Sequence, residues 1–202
     1  MKVIEQLLVN AGISPIAGVD EAGRGACAGP LVVASVVLND PFAQELAVVR
    51  DSKEIPESKR DSVFELIHSV AASVSIVIVP ATEVDARGVH AANLDGMRRA
   101  VQGLNIEPAY VLTDGYAIEG LGVPNLAVWK GDQVVVSISA ASVIAKVTRD
   151  RIMRDLDTEF PQYGFAGHKG YITAAHTRAL NEYGPCAQHR TSFANVAALI
   201  HK

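Results

Sequence analysis

Two apolar runs near the N-terminus limit what this chain can become. "IAGVDEA" (16–22) and "LVVASVVL" (31–38) are rich in β-branched residues and are separated only by "GRGACAGP" (23–30). Runs of this length and composition read as buried strands. The glycines between them predict a tight connection, so the two strands form a hairpin-like pair. Asp20 and Glu21 stand side by side where the first strand ends. A solvated turn is the plain explanation. Adjacent acids closing a buried strand are costly, however, unless they are paired or bind a metal.

Further runs extend the pattern. "SVSIVIVP" (73–80), "AYVLTDG" (109–115) and "NLAVWKGD" (125–132) predict three more strands. Leu94, Met97, Val101 and Leu104 recur at helical spacing within 89–104. Residues 133–160 predict a long helix with an apolar face at Ile138, Ala141, Ala145, Ile152 and Leu156, preceded by an irregular turn. A last helix over 173–184 is stopped by Gly184 and Pro185. Paired strands followed by strand–helix alternation imply an α/β fold, a mixed central sheet flanked by helices. No repeat or linker divides the chain, so one domain over 1–202 is expected, with a C-terminal helical part from about 160 to 202 packed on it.

Composition excludes several classes. Cys27 and Cys186 are the two cysteines and neither lies in a CxxC pair, which argues for a reducing compartment and against a zinc ribbon. Glu5, Gln6 and Asn10 interrupt the N-terminal apolar residues, so this is not a signal peptide. Val3, Ile4, Leu7 and Leu8 predict one face of a short amphipathic helix instead. No apolar stretch reaches the roughly 18 residues of a membrane span, and the cytoplasm is the expected address. The net charge of −4 is unevenly spread: residues 1–145 carry −7, whereas 146–202 carry +3 and four of the six histidines. That distribution permits a basic face on the last quarter opposite an acidic centre, and equally a random drift of surface charge.

Gly23-Arg24-Gly25-Ala26-Cys27-Ala28 matches the dinucleotide fingerprint in form. The fingerprint requires a helix after the turn, but Gly29-Pro30 and a β-branched run follow here. Glycines beside acids at a strand end have another use: they let backbone approach a ligand closely. Two more acids occupy comparable places. Asp114 ends "YVLTD", and Asp132 follows "LAVWKG". If the strands lie side by side, Asp20, Glu21, Asp114 and Asp132 converge. Clustered carboxylates repel unless cations neutralise them, and hard divalent cations prefer oxygen ligands. Two such ions roughly 4 Å apart serve in-line phosphodiester chemistry. Taken singly, Asp114-Gly115 is also a common turn dipeptide and Asp132 a plausible helix cap.

The motifs "GVDEAGRGACAGPLVVASVVL", "DSKEI", "LTDGY", "KGD", "SISAASVIAKVTRDR", "HKGYIT" and "YGPCAQHRTSF" resemble, in order, those of bacterial ribonuclease HII, over about residues 14–196. The resemblance implies an RNase H-like fold and an endoribonuclease that uses one or two Mg2+ or Mn2+ ions. Its substrates are the RNA strand of RNA–DNA hybrids and single ribonucleotides in duplex DNA, incised on the 5′ side to leave 3′-hydroxyl and 5′-phosphate ends. It assigns the metal-binding catalytic acids to Asp20, Glu21, Asp114 and Asp132. It assigns contacts near the 2′-hydroxyl to Gly23, Arg24 and Gly25, and packing on the junction deoxyribose to Tyr171. A 2′-hydroxyl is the group that tells RNA from DNA at one position.

Arg24, Lys53, Lys146, Lys169 and Arg190 are candidates for phosphate contacts, with solvated surface residues as the plain alternative. His168, His176 and His189 lack zinc-site spacing. Trp129, Met97 and Met153 read as core or near-core, and Cys27 as a small buried hydrophobe. The end at "SFANVAALIHK" shows no clamp-binding tail, and a monomer is expected. Three other readings compete: a ribonuclease HIII-like hybrid nuclease, disfavoured by the lack of an N-terminal domain; a hybrid-binding protein without catalysis; and a dinucleotide-dependent enzyme.

Overall fold

The computed structural model describes residues 3–49 and 55–200. Lys53, one of the candidate phosphate contacts, lies outside the described residues. The strands are β1 (Ile16–Ala22), β2 (Leu31–Leu38), β3 (Ala71–Val79), β4 (Tyr110–Asp114) and β5 (Asn125–Val128). They form one sheet in the order β3-β2-β1-β4-β5. β1 pairs antiparallel with β2 and β2 with β3, whereas β1–β4 and β4–β5 are parallel. The sheet is therefore mixed, as the run pattern implies. β1 and β2 keep the predicted bounds. β5 stops four residues short, because the residues after Val128 turn away into a helix.

The helices are α1 (Val3–Asn10), α2 (Glu57–Val70), α3 (Ala81–Arg87), α4 (Val89–Gln102), α5 (Gly131–Val134), α6 (Val136–Glu159), α7 (Phe165–His168), α8 (Ala174–Tyr183) and α9 (Ala194–Ile200). The predicted 133–160 helix is divided: Val135 is extended, and the short α5 precedes α6. α6 and α2 cover one face of the sheet around Val32, Ala34 and Val36. α3 and α4 cover the other face, where Met97, Ala100 and Val101 meet Val33 and Val79. Both faces of the central strands are thus buried, which explains why β2 is an unbroken apolar run.

α6 lies unusually close to β1. A Cβ on Gly18 would stand 2.1 Å from the Ser137 carbonyl carbon, so only glycine admits the start of α6 at this level. Glu5 also holds that helix start. It is buried and accepts hydrogen bonds from Val136 N (2.8 Å) and Ser137 N (3.0 Å). A carboxylate satisfying two orphan N–H groups also complements the positive end of the helix. The predicted amphipathic face of α1 is correspondingly revised. Ile4 and Leu8 pack inward beside Glu5, while Val3 and Leu7 are exposed.

Met97, Met153 and Cys27 are buried. Trp129 is not: it is 81% exposed, against the core placement expected from sequence. Val128 faces the core at the end of β5, so alternation directs the next side chain outward. Lys130, at φ 53, then turns the chain into α5.

Candidate active site

Parallel pairing of β1 with β4 brings their carboxyl ends level. Val19 sits opposite Thr113, so Asp20 and Asp114 follow at the same end of neighbouring strands. Asp114 sits opposite Val128 on β5, and α5 then returns Asp132 toward both. The Gly131 N–H donates to Asp114 Oδ1 at 2.7 Å, tying that return to β4. One carboxylate oxygen each from Asp20, Asp114 and Asp132 falls within a mutual distance of 4.8 Å. Open parallel sheets place ligand sites outside the carboxyl ends of their strands, and this cluster lies there.

Asp20 and Asp132 are buried, and Asp114 is half-buried. Burial, and then the charges of Glu21 and Asp114, push the Asp20 carboxyl well above its usual range. The Ser142 hydroxyl and the Glu21 N–H (2.7 Å) oppose that shift. An all-oxygen set in which Asp20 resists ionisation fits a hard divalent cation. Glu21 is outside the three-acid group but lines the same cleft.

The cleft has a volume of about 460 Å³. Its walls also carry Gly23, Arg24, Gly25, Ser142, Lys146 and Tyr171. Gly23 has φ +89, and a Cβ there would strike the Arg149 side chain. Gly25 is exposed, with nothing within 4 Å of an added Cβ. The Arg24 guanidinium lies 4.6 Å from the centre of the Tyr116 ring, and its Nε is buried with no hydrogen-bond partner among the described residues. Lys146 Nζ donates to Asp150 Oδ1 at 2.7 Å. Burial draws the Lys146 ammonium down from its usual value, while Asp150 opposes this.

Two of the proposed phosphate contacts require correction. Arg190 is fully buried beneath the glycine loop, donating to Gly29 O (2.9 and 3.1 Å) and Arg24 O (3.2 Å). With those donors committed to backbone carbonyls, it shapes the loop and does not face the cleft. Lys169 donates to the Ala166 carbonyl, approaches Glu57 at 3.9 Å and is absent from the cleft wall. Arg149, which sequence reading passed over, is Arg190's counterpart. It donates to Pro30 O, Lys169 O and Ala28 O at 2.9–3.1 Å, joining the glycine loop to the segment that carries Tyr171.

A buried histidine pair completes that junction. His176 Nδ1 is 3.0 Å from Tyr171 O, His176 Nε2 is 3.0 Å from His189 Nε2, and the Cys186 N–H reaches His189 Nδ1 at 2.9 Å. The carbonyl and the amide can each play only one role. His176 therefore donates from Nδ1, His189 donates from Nε2, and both rings are neutral. Burial, and then His176, lower the His189 pKa to about 4. No spacing rule could reveal this pair, because its members act through contacts across the fold.

The family model for ribonuclease HII matches residues 17–196. The chain belongs to the ribonuclease HII family. A ribonuclease HII from Parafrankia sp. (strain EAN1pec) is 58% identical over 195 residues, covering 96% of this chain and 81% of its own length. Among solved structures, ribonuclease H2 from Pyrococcus horikoshii OT3 aligns with a TM-score of 0.79 at 25% identity, over 92% of this chain and 97% of its own. The RNase HII of a PCNA:RNase HII complex from Archaeoglobus fulgidus aligns with a TM-score of 0.79 at 26% identity, over 89% and 95%. Ribonuclease HII membership makes the protein a ribonuclease H-type hydrolase with the RNase H-like fold, and it removes the dinucleotide-enzyme reading. No helix among the described residues is long and apolar enough to cross a membrane.

Proposed function

We propose that this ribonuclease HII cleaves the RNA strand of RNA–DNA hybrids and incises duplex DNA on the 5′ side of a single embedded ribonucleotide, leaving 3′-hydroxyl and 5′-phosphate ends. The observation that carries the reading is one cleft holding the three-aspartate cluster, the Gly23-Arg24-Gly25 turn and Tyr171 together.

Asp20, Asp114 and Asp132, with Glu21 at the edge, would hold one or two Mg2+ or Mn2+ ions. Bound there, the ions neutralise the clustered charge and supply Lewis acidity for in-line phosphodiester hydrolysis. The Gly23–Gly25 turn brings backbone up to the ribose, where its polar groups hydrogen-bond the 2′-hydroxyl. Arg24, on the cleft wall with its guanidinium against the Tyr116 ring, meets the adjacent phosphate. The exposed Tyr171 ring packs on the next sugar and favours deoxyribose by leaving no room for a second hydroxyl. Lys146 neutralises a phosphate while anchored by Asp150, and Lys53 is proposed for a similar contact on motif resemblance alone. No group in this set reads a base, so cleavage depends on sugar identity and not on base sequence. The same proposal takes the chain as one catalytic unit that acts as a cytoplasmic monomer, with the segment after residue 160 supplying Tyr171.

A labelled DNA duplex with one ribonucleotide tests the reading beside an all-DNA duplex, in Mg2+, in Mn2+ and in chelator. Metal-dependent incision only at the 5′ side of the ribonucleotide is expected. A folded protein that binds the duplex and leaves it intact in both metals would overturn the proposal.

A further inference from the structure

Trp129 is the chain's one tryptophan, and it leaves most of its ring in solvent. A lone exposed apolar residue needs no explanation. Its position supplies a second observation. Trp129 lines a cavity of about 500 Å³ that is distinct from the catalytic cleft but continuous with it. The two share Glu21, Arg24, Asp114 and Asp132 as walls. Tyr171 lines only the first and Trp129 only the second, so the acids lie between the two rings. The second cavity also carries the exposed Lys130 and the Tyr116 ring beneath Arg24.

A flat ring and flanking cations beside a phosphodiester-cleaving centre are the elements that hold nucleic acid strands elsewhere. Aromatic faces take sugars and bases, and cations take phosphates. Lys130 has φ 53, a conformation uncommon for a residue with a side chain. Trp129 and Asp132 flank that turn and line the same cavity, so a strand touching the ring is positioned by the same backbone that carries a catalytic acid.

We propose that this cavity is the subsite for the nucleotide on the 5′ side of the scissile phosphate, with Trp129 packed against its sugar and base edge and Lys130 facing its phosphate. The inference rests on the proposed function, in which Tyr171 takes the deoxyribose on the 3′ side of the ribonucleotide. The strand then runs from Trp129, across the acids, to Tyr171.

A single tryptophan makes the test direct. Emission is followed in chelator while the protein binds either a full duplex with one ribonucleotide or a duplex whose ribonucleotide strand begins at that ribonucleotide. Binding of each labelled duplex is read separately by anisotropy. The full duplex is expected to change the emission markedly, and the shortened one to bind with little change. In Mn2+, Trp129→Ala is expected to raise KM for the full duplex about tenfold while changing kcat less than twofold, the size expected for one lost ring contact. Trp129→Phe, which keeps a ring, should recover most of that loss. Unchanged emission on a bound full duplex, an equal response to both duplexes, or an unaltered KM in Trp129→Ala would each overturn the subsite while leaving the proposed function standing. Absence of cleavage by the wild-type protein would overturn both.

Discussion

Replacing Asp132 with asparagine should make the metal-free protein more stable while destroying its activity. One carboxylate oxygen from each of Asp20, Asp114 and Asp132 lies within 4.8 Å of the others. At that separation and an effective dielectric near 20, a pair of full charges repels by about 3 kcal/mol. Asp20 escapes part of this by holding its proton to higher pH than usual, so removing one charge recovers less than the full pairwise sum. A net gain of about 1–2 kcal/mol is expected, and the near-isosteric amide leaves packing at this buried position unchanged. For a chain of this size that corresponds to a rise in Tm of roughly 2–8 °C. Thermal unfolding of both proteins in chelator and in Mn2+ provides the assay. In chelator Asp132→Asn should melt higher. Mn2+ should raise the wild-type Tm by more than that of the variant, and incision by the variant should fall below detection. If the variant melts at or below wild type in chelator and gains equally from Mn2+, then Asp132 is neither a strained charge nor a ligand. The expected pattern exchanges stability for function at one site.

Tyr171→Ala should relax the choice of cleavage position on substrates with several consecutive ribonucleotides while Tm stays within a few degrees; unaltered product lengths would remove Tyr171 from sugar selection. Glu5→Gln should destabilise by about 1–3 kcal/mol, the usual range for weakening buried charge-assisted hydrogen bonds, and chemical denaturation would show it; no change would mean that water or a neighbour caps α6 instead. The His176–His189 pair sets a direction with pH. With His189 near pKa 4 when folded and near 6.5 when unfolded, the unfolded chain binds the extra proton between those values, so stability is full above about pH 6.5 and declines as pH falls toward 4. At about 1.4 kcal/mol per pKa unit, the decline attributable to His189 amounts to roughly 3–4 kcal/mol. His168, stacked 4.2 Å from His176, the Tyr163 ring 4.8 Å from that of His189, and Cys27 and Cys186 at 3.7 and 3.2 Å from the ring nitrogens are the titratable groups that face the pair. His189→Gln should flatten the profile over that range, and a slope identical to wild type would assign the acid sensitivity to other groups.

The amino-acid sequence by itself determined the elements whose cause is local. β1 and β2 follow from unbroken β-branched runs bounded by glycine and proline, and their observed bounds match. Asp20, Asp114 and Asp132 were legible because each follows an apolar strand, and the ordered motifs named the family. Tertiary structure alone decided what depends on partners distant in the chain. It set β1 parallel to β4, which brings Asp20 level with Asp114 across more than ninety residues. It turned Glu5 from an interruption in an apolar face into the cap of α6, and sent Arg190 under the glycine loop instead of toward a phosphate. It joined His176 to His189 and left Trp129 in solvent at the rim of the acids. Periodicity records only which face of an element is apolar. The partner that a buried charge, ring or carbonyl will meet is chosen by packing, when the free energy of satisfying polar groups selects among many apolar arrangements of similar energy.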